Sequence, residues 1–254
     1  MLPYFSFEKI VLGSMTFYVW GILASIAFVA SLFVALKEAK RKNIDRDKII
    51  SLSIIIVASG FLGARIFYIA LFWNYFSDHL SEIFYFWKGG QVLYGGVFFA
   101  FLFGYFYIKK SKLSFLQIAD VVALPAALGI FIGRIGCVLI NDHIGSLTKL
   151  PWAMEYLDKS LRHPVSIYLS LNGLILFFVL WFLKKKIARR GILFSLFLLY
   201  YSATRFFLDF FRCQDLDVCD PRFYNLTISQ WISIAIFALT LIWVLWYDKN
   251  RLKF

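Results

Sequence analysis

The chain has 254 residues, of which 61% are hydrophobic, 20% aromatic and 17% charged, with a formal net charge of +12. A soluble domain is about 45–50% apolar and about 25% charged, so the composition excludes a disordered chain. With only three cysteines it also excludes a disulfide-built secreted scaffold. What remains is a helical polytopic membrane protein. The basic excess sits in short connections between apolar runs, as topology-setting charge does, and no nucleic-acid partner is expected.

In chain order the apolar runs predict seven spans, at 13–36, 49–73, 91–108, 117–139, 166–183, 192–211 and 226–247. Each is long enough to cross a core of about 30 Å at about 1.5 Å per residue. The first is too long for a cleavable signal, and Glu8 and Lys9 before it are not a basic leader. The connections at 37–48, 109–116 and 184–191 and the tail hold 17 Lys and Arg, against seven on the other side (Lys9, Lys88, Lys149, Lys159, Arg162, Arg212, Arg222). The expected architecture is therefore all-α, one transmembrane domain over 1–254, with its N-terminus outside and its C-terminus cytoplasmic. The longest connection, 140–165, falls on the outer side, and long ordered loops often carry function.

Ionisable groups inside spans are expensive and mark function. Five stand there: Arg65, Asp120, Arg134, Arg205 and Asp209. The three arginines lie about 5–8 residues from the outer ends of their spans, so roughly 8–12 Å deep at helical rise. Asp209 follows Arg205 by one helical turn and can neutralise it. Asp120 lies too deep to pair with that layer. The layer thus keeps a positive surplus, which calls for an anion; a lipid phosphate suits a planar guanidinium. Gly60, Gly63, Gly129, Gly133 and Gly136 flank two of the arginines, and small residues let helices or a ligand come close. Tyr94 with Gly95-Gly96, and Trp20 with Gly21, fall at the same depth.

The run Gly133-Arg134-Ile135-Gly136-Cys137, continuing to Asn141-Asp142-His143-Ile144-Gly145, resembles the signature of the prolipoprotein diacylglyceryl transferase family. Gly63-Ala64-Arg65 resembles its G-[GA]-R. Gly89-Gly90 with Tyr94-Gly95-Gly96 resembles its GG-x3-HGG, and Asp120 with Pro125 its D-x-x-A-P. Arg162-His163-Pro164 with Tyr168 resembles its R-H-P stretch. Tyr201 to Arg205, followed by Asp209 and Arg212, resembles Y-x3-R-x3-E-F-x-R, and Ser229-Gln230 the opening of its last span. The chain departs from the pattern at Tyr94 (His in the family), Cys137 and Ile140 (both Asn), Asp142 (Glu), Trp20 (Tyr), Ser166 (Gln) and Leu169 (Glu).

The resemblance implies transfer of diacylglycerol from phosphatidylglycerol to the lipobox cysteine thiol of a prolipoprotein signal peptide, in the bacterial cytoplasmic (inner) membrane, with no cofactor and no metal. The family's essential arginines correspond to Arg134 and Arg205, which would stabilise the departing phosphate. Arg65 would position the headgroup or support neighbouring helices. Trp20, Gly95, Gly96, Gly133, Gly136, Asp142 and Tyr201 join it as substrate-binding candidates. Tyr94 is a poor base, its reference pKa being about 10, and would orient substrate. His143, titrating near about 6.5, is the candidate proton acceptor, and His163 shapes the 140–165 loop. Cys137 reads as a packing residue. Cys213 and Cys219 either bridge or stay reduced. The departures keep two alternatives open: an inactive or repurposed phospholipid-binding relative, and an anion transporter.

Overall fold

The computed structural model describes residues 1–13, 15–85, 90–216 and 219–251, with backbone alone at 250 and 251. Lys88, Gly89 and Lys253, used above for charge counting and for the Gly89-Gly90 motif, lie outside the described residues. In chain order the elements are β1 (Lys9–Leu12), β2 (Met15–Tyr18), α1 (Val19–Arg41), α2 (Arg46–Leu71) and α3 (Trp73–Phe76). A 3-10 turn (Leu80–Phe84) leads to α4 (Leu93–Lys110) and α5 (Phe115–Leu139). After these come β3 (Met154–Glu155), β4 (Leu161–Arg162), α6 (Val165–Leu183), α7 (Ile192–Leu208), β5 (Arg222–Phe223), β6 (Leu226–Thr227) and α8 (Ile228–Arg251).

Six helical segments are long and apolar enough to cross a membrane: Val19–Arg41, Arg46–Leu71, Phe115–Leu139, Val165–Leu183, Ile192–Phe211 and Ile228–Lys249. This is a polytopic membrane protein, built as lipid requires, with backbone polar groups satisfied inside each helix. The remaining predicted span is α4. It is a helix, but its tyrosines and terminal Lys109 and Lys110 leave it outside those six. Three two-stranded antiparallel ladders interrupt the all-α expectation. Their registers pair Ile10 with Phe17, Met154 with Arg162 and Arg222 with Thr227.

The chain divides into two compact units, Met1–Val34 with Ala119–Phe254, and Ala35–Ile118. In the second, α2 and α4 meet through glycines. A Cβ on Gly63 would stand 2.6 Å from the Gly95 carbonyl oxygen, and one on Gly95 2.6 Å from that of Gly63. No real Cβ tolerates such distances, so only glycine permits this approach. Gly60 and Gly96 continue the same seam, a Cβ on Gly96 meeting the Gly60 carbonyl at 3.0 Å.

In the first unit the core is Ala123, Leu124 and Ala127 of α5, Leu176 and Leu180 of α6, and Leu193 and Phe197 of α7. Gly173 lets α6 reach the α5 backbone at Phe131, and Ser31 of α1 donates to the Pro125 carbonyl at 2.9 Å. Asp120, only 1% exposed, accepts the Gly191 and Phe194 N–H groups at 2.9 and 3.1 Å. It thus caps the N-terminus of α7 from another helix, where a negative charge meets the positive end of the helix dipole. Asp120→Ala is expected to cost about 1–3 kcal/mol, since buried donors lose their acceptor. The check is a lower Tm in detergent, with the helical circular dichroism spectrum retained.

Candidate active site

The C-terminal end of α5 carries Arg134 and Cys137, after which the chain turns sharply. Asn141 and His143 both adopt left-handed backbone, with φ of 52° and 68°. Asparagine and histidine are both among the non-glycine residues enriched in that region. The turn folds His143 back over the last turn of α5, so that its Nε2 lies 3.0 Å from Arg134 Nη1. A guanidinium only donates, so this contact fixes the neutral imidazole with its proton on Nδ1. Nδ1 in turn lies 2.8 Å from Asp142 Oδ2, while Asp142 Oδ1 accepts the His143 backbone N–H at 2.8 Å. Ser166, at the start of α6, donates to the Asp142 carbonyl and holds the turn in place.

Electrostatics follow from these contacts. The hydrogen bond to His143 holds the Asp142 carboxyl below the usual range, against the opposing effect of burial. Burial alone would lower the His143 imidazole, and Arg134 acts the same way. Its contacts with Asp142 and Cys137 outweigh both and keep His143 above its ordinary value.

Cys137 Sγ lies 3.9 Å from the same Arg134 nitrogen. Cys137, Asp142 and His143 each bring one ligand-type atom within 4.8 Å of the others, a set able to hold a metal ion. The guanidinium pointed at two of those atoms favours an anion there instead. Among the described residues no carboxylate lies at salt-bridge distance from Arg134.

Arg205 arrives from α7. Its Nη2 lies 3.0 Å from Asp209 Oδ1, the predicted one-turn pair, and 3.2 Å from Ser229 Oγ of α8. Its Nη1 is buried without a hydrogen-bond partner. Arg134 is near enough to act on Arg205 electrostatically. Asp209, fully buried, also accepts the Thr227 hydroxyl, and Arg212 stands 3.9 Å from it while pairing with Asp220 at 2.7 Å. Thr227 and Gln230 cap α8 reciprocally: Gln230 Oε1 accepts the Thr227 N–H at 2.9 Å and Thr227 Oγ1 accepts the Gln230 N–H at 3.1 Å. Thr227 and Arg212 were not among the expected site residues. The Thr-x-x-Gln spacing ahead of an apolar run is the capping-box signal that finds the first.

The other candidates divide. Gly136 packs on Trp20 and Leu23 of α1, a Cβ there standing 3.3 Å from each, whereas a Cβ on Gly133 would meet nothing within 4 Å. Trp20 is 53% exposed. Tyr201 stacks on Phe197 one turn before Arg205, with centroids 6.0 Å apart. In the second unit Gly95 and Gly96 form the helix seam, and Tyr94 is exposed at the start of α4. Arg65, 4% exposed, donates to the carbonyls of Glu82 (2.6 Å), Ile83 (3.1 Å) and Gly90 (3.2 Å) and lies over the Tyr68 and Phe76 rings. These contacts tie the carbonyls of Glu82, Ile83 and Gly90 to α2.

The 140–165 loop is tied on both sides. Arg162 makes a bidentate bridge to Asp215 at 2.9 and 2.7 Å and donates to the Gly145 carbonyl. A Cβ on Gly145 would collide with the His163 carbonyl, so the strand of backbone there admits only glycine. His163 and Tyr168 share a hydrogen bond of 3.2 Å beside an apolar cavity of about 510 Å³ between α6 and α7. Cys213 and Cys219 form a disulfide, which settles the alternative that sequence left open.

The family profile described as prolipoprotein diacylglyceryl transferase matches residues 9–246, nearly the whole chain. The chain belongs to the prolipoprotein diacylglyceryl transferase family. Relatives named phosphatidylglycerol–prolipoprotein diacylglyceryl transferase agree over similar lengths. That of Clostridioides difficile is 34% identical over 78% of this chain and 79% of its own. That of Finegoldia magna is 32% identical over 92% of both chains. That of Geobacillus kaustophilus is 31% identical over 95% of this chain and 93% of its own. Such likeness along the chain favours a transferase over an anion transporter.

Proposed function

We propose that this protein transfers the diacylglyceryl group of phosphatidylglycerol to the lipobox cysteine thiol of prolipoproteins, releasing glycerol phosphate. It works in the bacterial cytoplasmic (inner) membrane, with α4 as the seventh span, the N-terminus outside and the site in the outer leaflet. Family membership and the transferase activity named for the relatives support the reaction. The observation that carries the site is Arg134, whose charge meets a neutral imidazole and a thiol instead of a carboxylate, on the same unit as an Arg205 with a spare buried donor. Two such guanidinium groups call for a phosphate.

In this reading the substrate thiol sulfur attacks the glyceryl carbon, the carbon–oxygen bond to phosphate breaks, and the oxygen keeps the electron pair. Arg134 and Arg205 stabilise the charge that grows on the leaving phosphate, in a site drier than bulk water. A thiolate is the nucleophile, and a free cysteine titrates near about 8.5, so a base is needed. His143 takes that proton on Nε2 as the Arg134 N–H swings from the ring to the substrate phosphate, with Asp142 beside Nδ1 to hold the ring. Trp20, Gly133, Gly136 and Tyr201 line the approach.

The test is rescue of a bacterium depleted of its own transferase. Growth and thioether-modified lipoprotein are expected with the native chain and lost with Arg134→Ala. Stable expression in the membrane with no modified lipoprotein would overturn the reading.

A further inference from the structure

Cys137 stands where the family signature carries asparagine, and the reaction proposed above has no use for it. Its surroundings are those the enzyme needs around a substrate thiol. Sγ is within hydrogen-bond reach of the Arg134 guanidinium at 3.9 Å, and the His143 imidazole and Asp142 carboxylate lie within 4.8 Å of it and of one another. Nucleophile, base and orienting carboxylate therefore form one constellation, in the order seen in cysteine nucleophile sites. The guanidinium and the imidazole thus flank the sulfur, one as a donor and one as a base. The residue is 6% exposed, so only small reagents reach it. With Cys213 and Cys219 joined, it is the only free thiol among the chain's three cysteines.

We infer that Cys137 is a modification site, a reactive thiol that small electrophilic sulfur reagents attack inside the Arg134 pocket. With methyl methanethiosulfonate the Cys137 sulfur attacks the sulfenyl sulfur and a mixed disulfide forms. The bond to the sulfonyl sulfur breaks, and methanesulfinate leaves with the electron pair. The thiol proton passes to His143. The methylthio group then occupies space beside Arg134 Nη1 and His143 Nε2, where the lipid phosphate and the incoming thiol are placed by the function proposed above, so transfer stops.

The experiment uses the full chain in lipid nanodiscs with its disulfide intact, treated with methyl methanethiosulfonate and followed by intact mass and peptide mapping. One methylthio group per chain, on Cys137, is expected. Labelling should slow at least about tenfold in His143→Gln and in Arg134→Gln, which lack the base and the cation that flank the sulfur. Circular dichroism shows that both variants keep their helices. The inference is overturned if Cys137 labels only after denaturant unfolds the chain, or if both variants label at the native rate. Nanodiscs of phosphatidylglycerol should protect Cys137 relative to phosphatidylcholine. Labelling without that protection would leave the reactive thiol standing and remove the headgroup from the site.

Discussion

Arg205→Gln is expected to lower turnover by about 10²–10³-fold, the loss usual when a donor to developing negative charge is removed. The side chain has two duties that the experiment must separate. Nη2 neutralises Asp209, which is fully buried, and Nη1 is the spare donor. Removing the guanidinium leaves a buried carboxylate with only the Thr227 hydroxyl and a distant Arg212, at a cost of about 3–5 kcal/mol. Asp209→Asn in the same chain removes that charge. The double variant Arg205→Gln/Asp209→Asn should recover most of the lost Tm and none of the lost turnover. Recovery of both would make Arg205 a structural residue and remove it from the chemistry.

His143→Gln is expected to lower turnover by about 10²–10³-fold, within the range for a positioned general base. The pH profile gives the sharper test. His143 must be neutral to accept a proton, and Asp142 holds it above its ordinary value. Turnover should therefore rise with pH along a limb whose midpoint lies above about 6.5. Asp142→Asn removes the larger of the two contacts that raise His143 and leaves the Cys137 contact against burial and Arg134, which both lower it, so the limb should move to lower pH. A limb that stays in place in Asp142→Asn, or survives unchanged in His143→Gln, would assign the proton elsewhere. Stability follows the same groups with the opposite sign for each. The raised imidazole stabilises the fold below its unfolded value and loses this as pH rises through its folded one. The depressed Asp142 contributes above its unfolded value and loses this as pH falls through its folded one.

Sequence makes the helices legible because lipid forces long apolar runs, and six of the predicted segments overlap helices long and apolar enough to span, although the first, 13–36, opens in strand β2 and turns helical only at Val19. Asp209 was readable as the partner of Arg205 because one turn of helix brings them together. Asp120 was readable as a costly buried charge, but its partners, the first turn of α7, lie 71 and 74 residues away along the chain. The two-residue strands have no periodicity to detect. The approach of His143 to Arg134 depends on two left-handed residues after the end of α5, Asn141 and His143, whose types favour such backbone without dictating it. Arg65 shows the reverse case. Its depth resembled that of Arg134, yet it donates to carbonyls of the 3-10 turn at Glu82 and Ile83 and to that of Gly90, and no hydropathy pattern predicts where carbonyls will point.

Asp215, the carboxylate that grips Arg162, sits inside the small ring closed by Cys213 and Cys219. The ring restricts where that carboxylate can wander, so much of the ordering cost of the bridge is met before Arg162 arrives. Arg162 leads within three residues into α6, whose first turn holds the backbone of Asp142. The covalent tether thereby acts at one remove as a brace for the imidazole, and the redox state of the surroundings becomes a determinant of how tightly the catalytic turn is held.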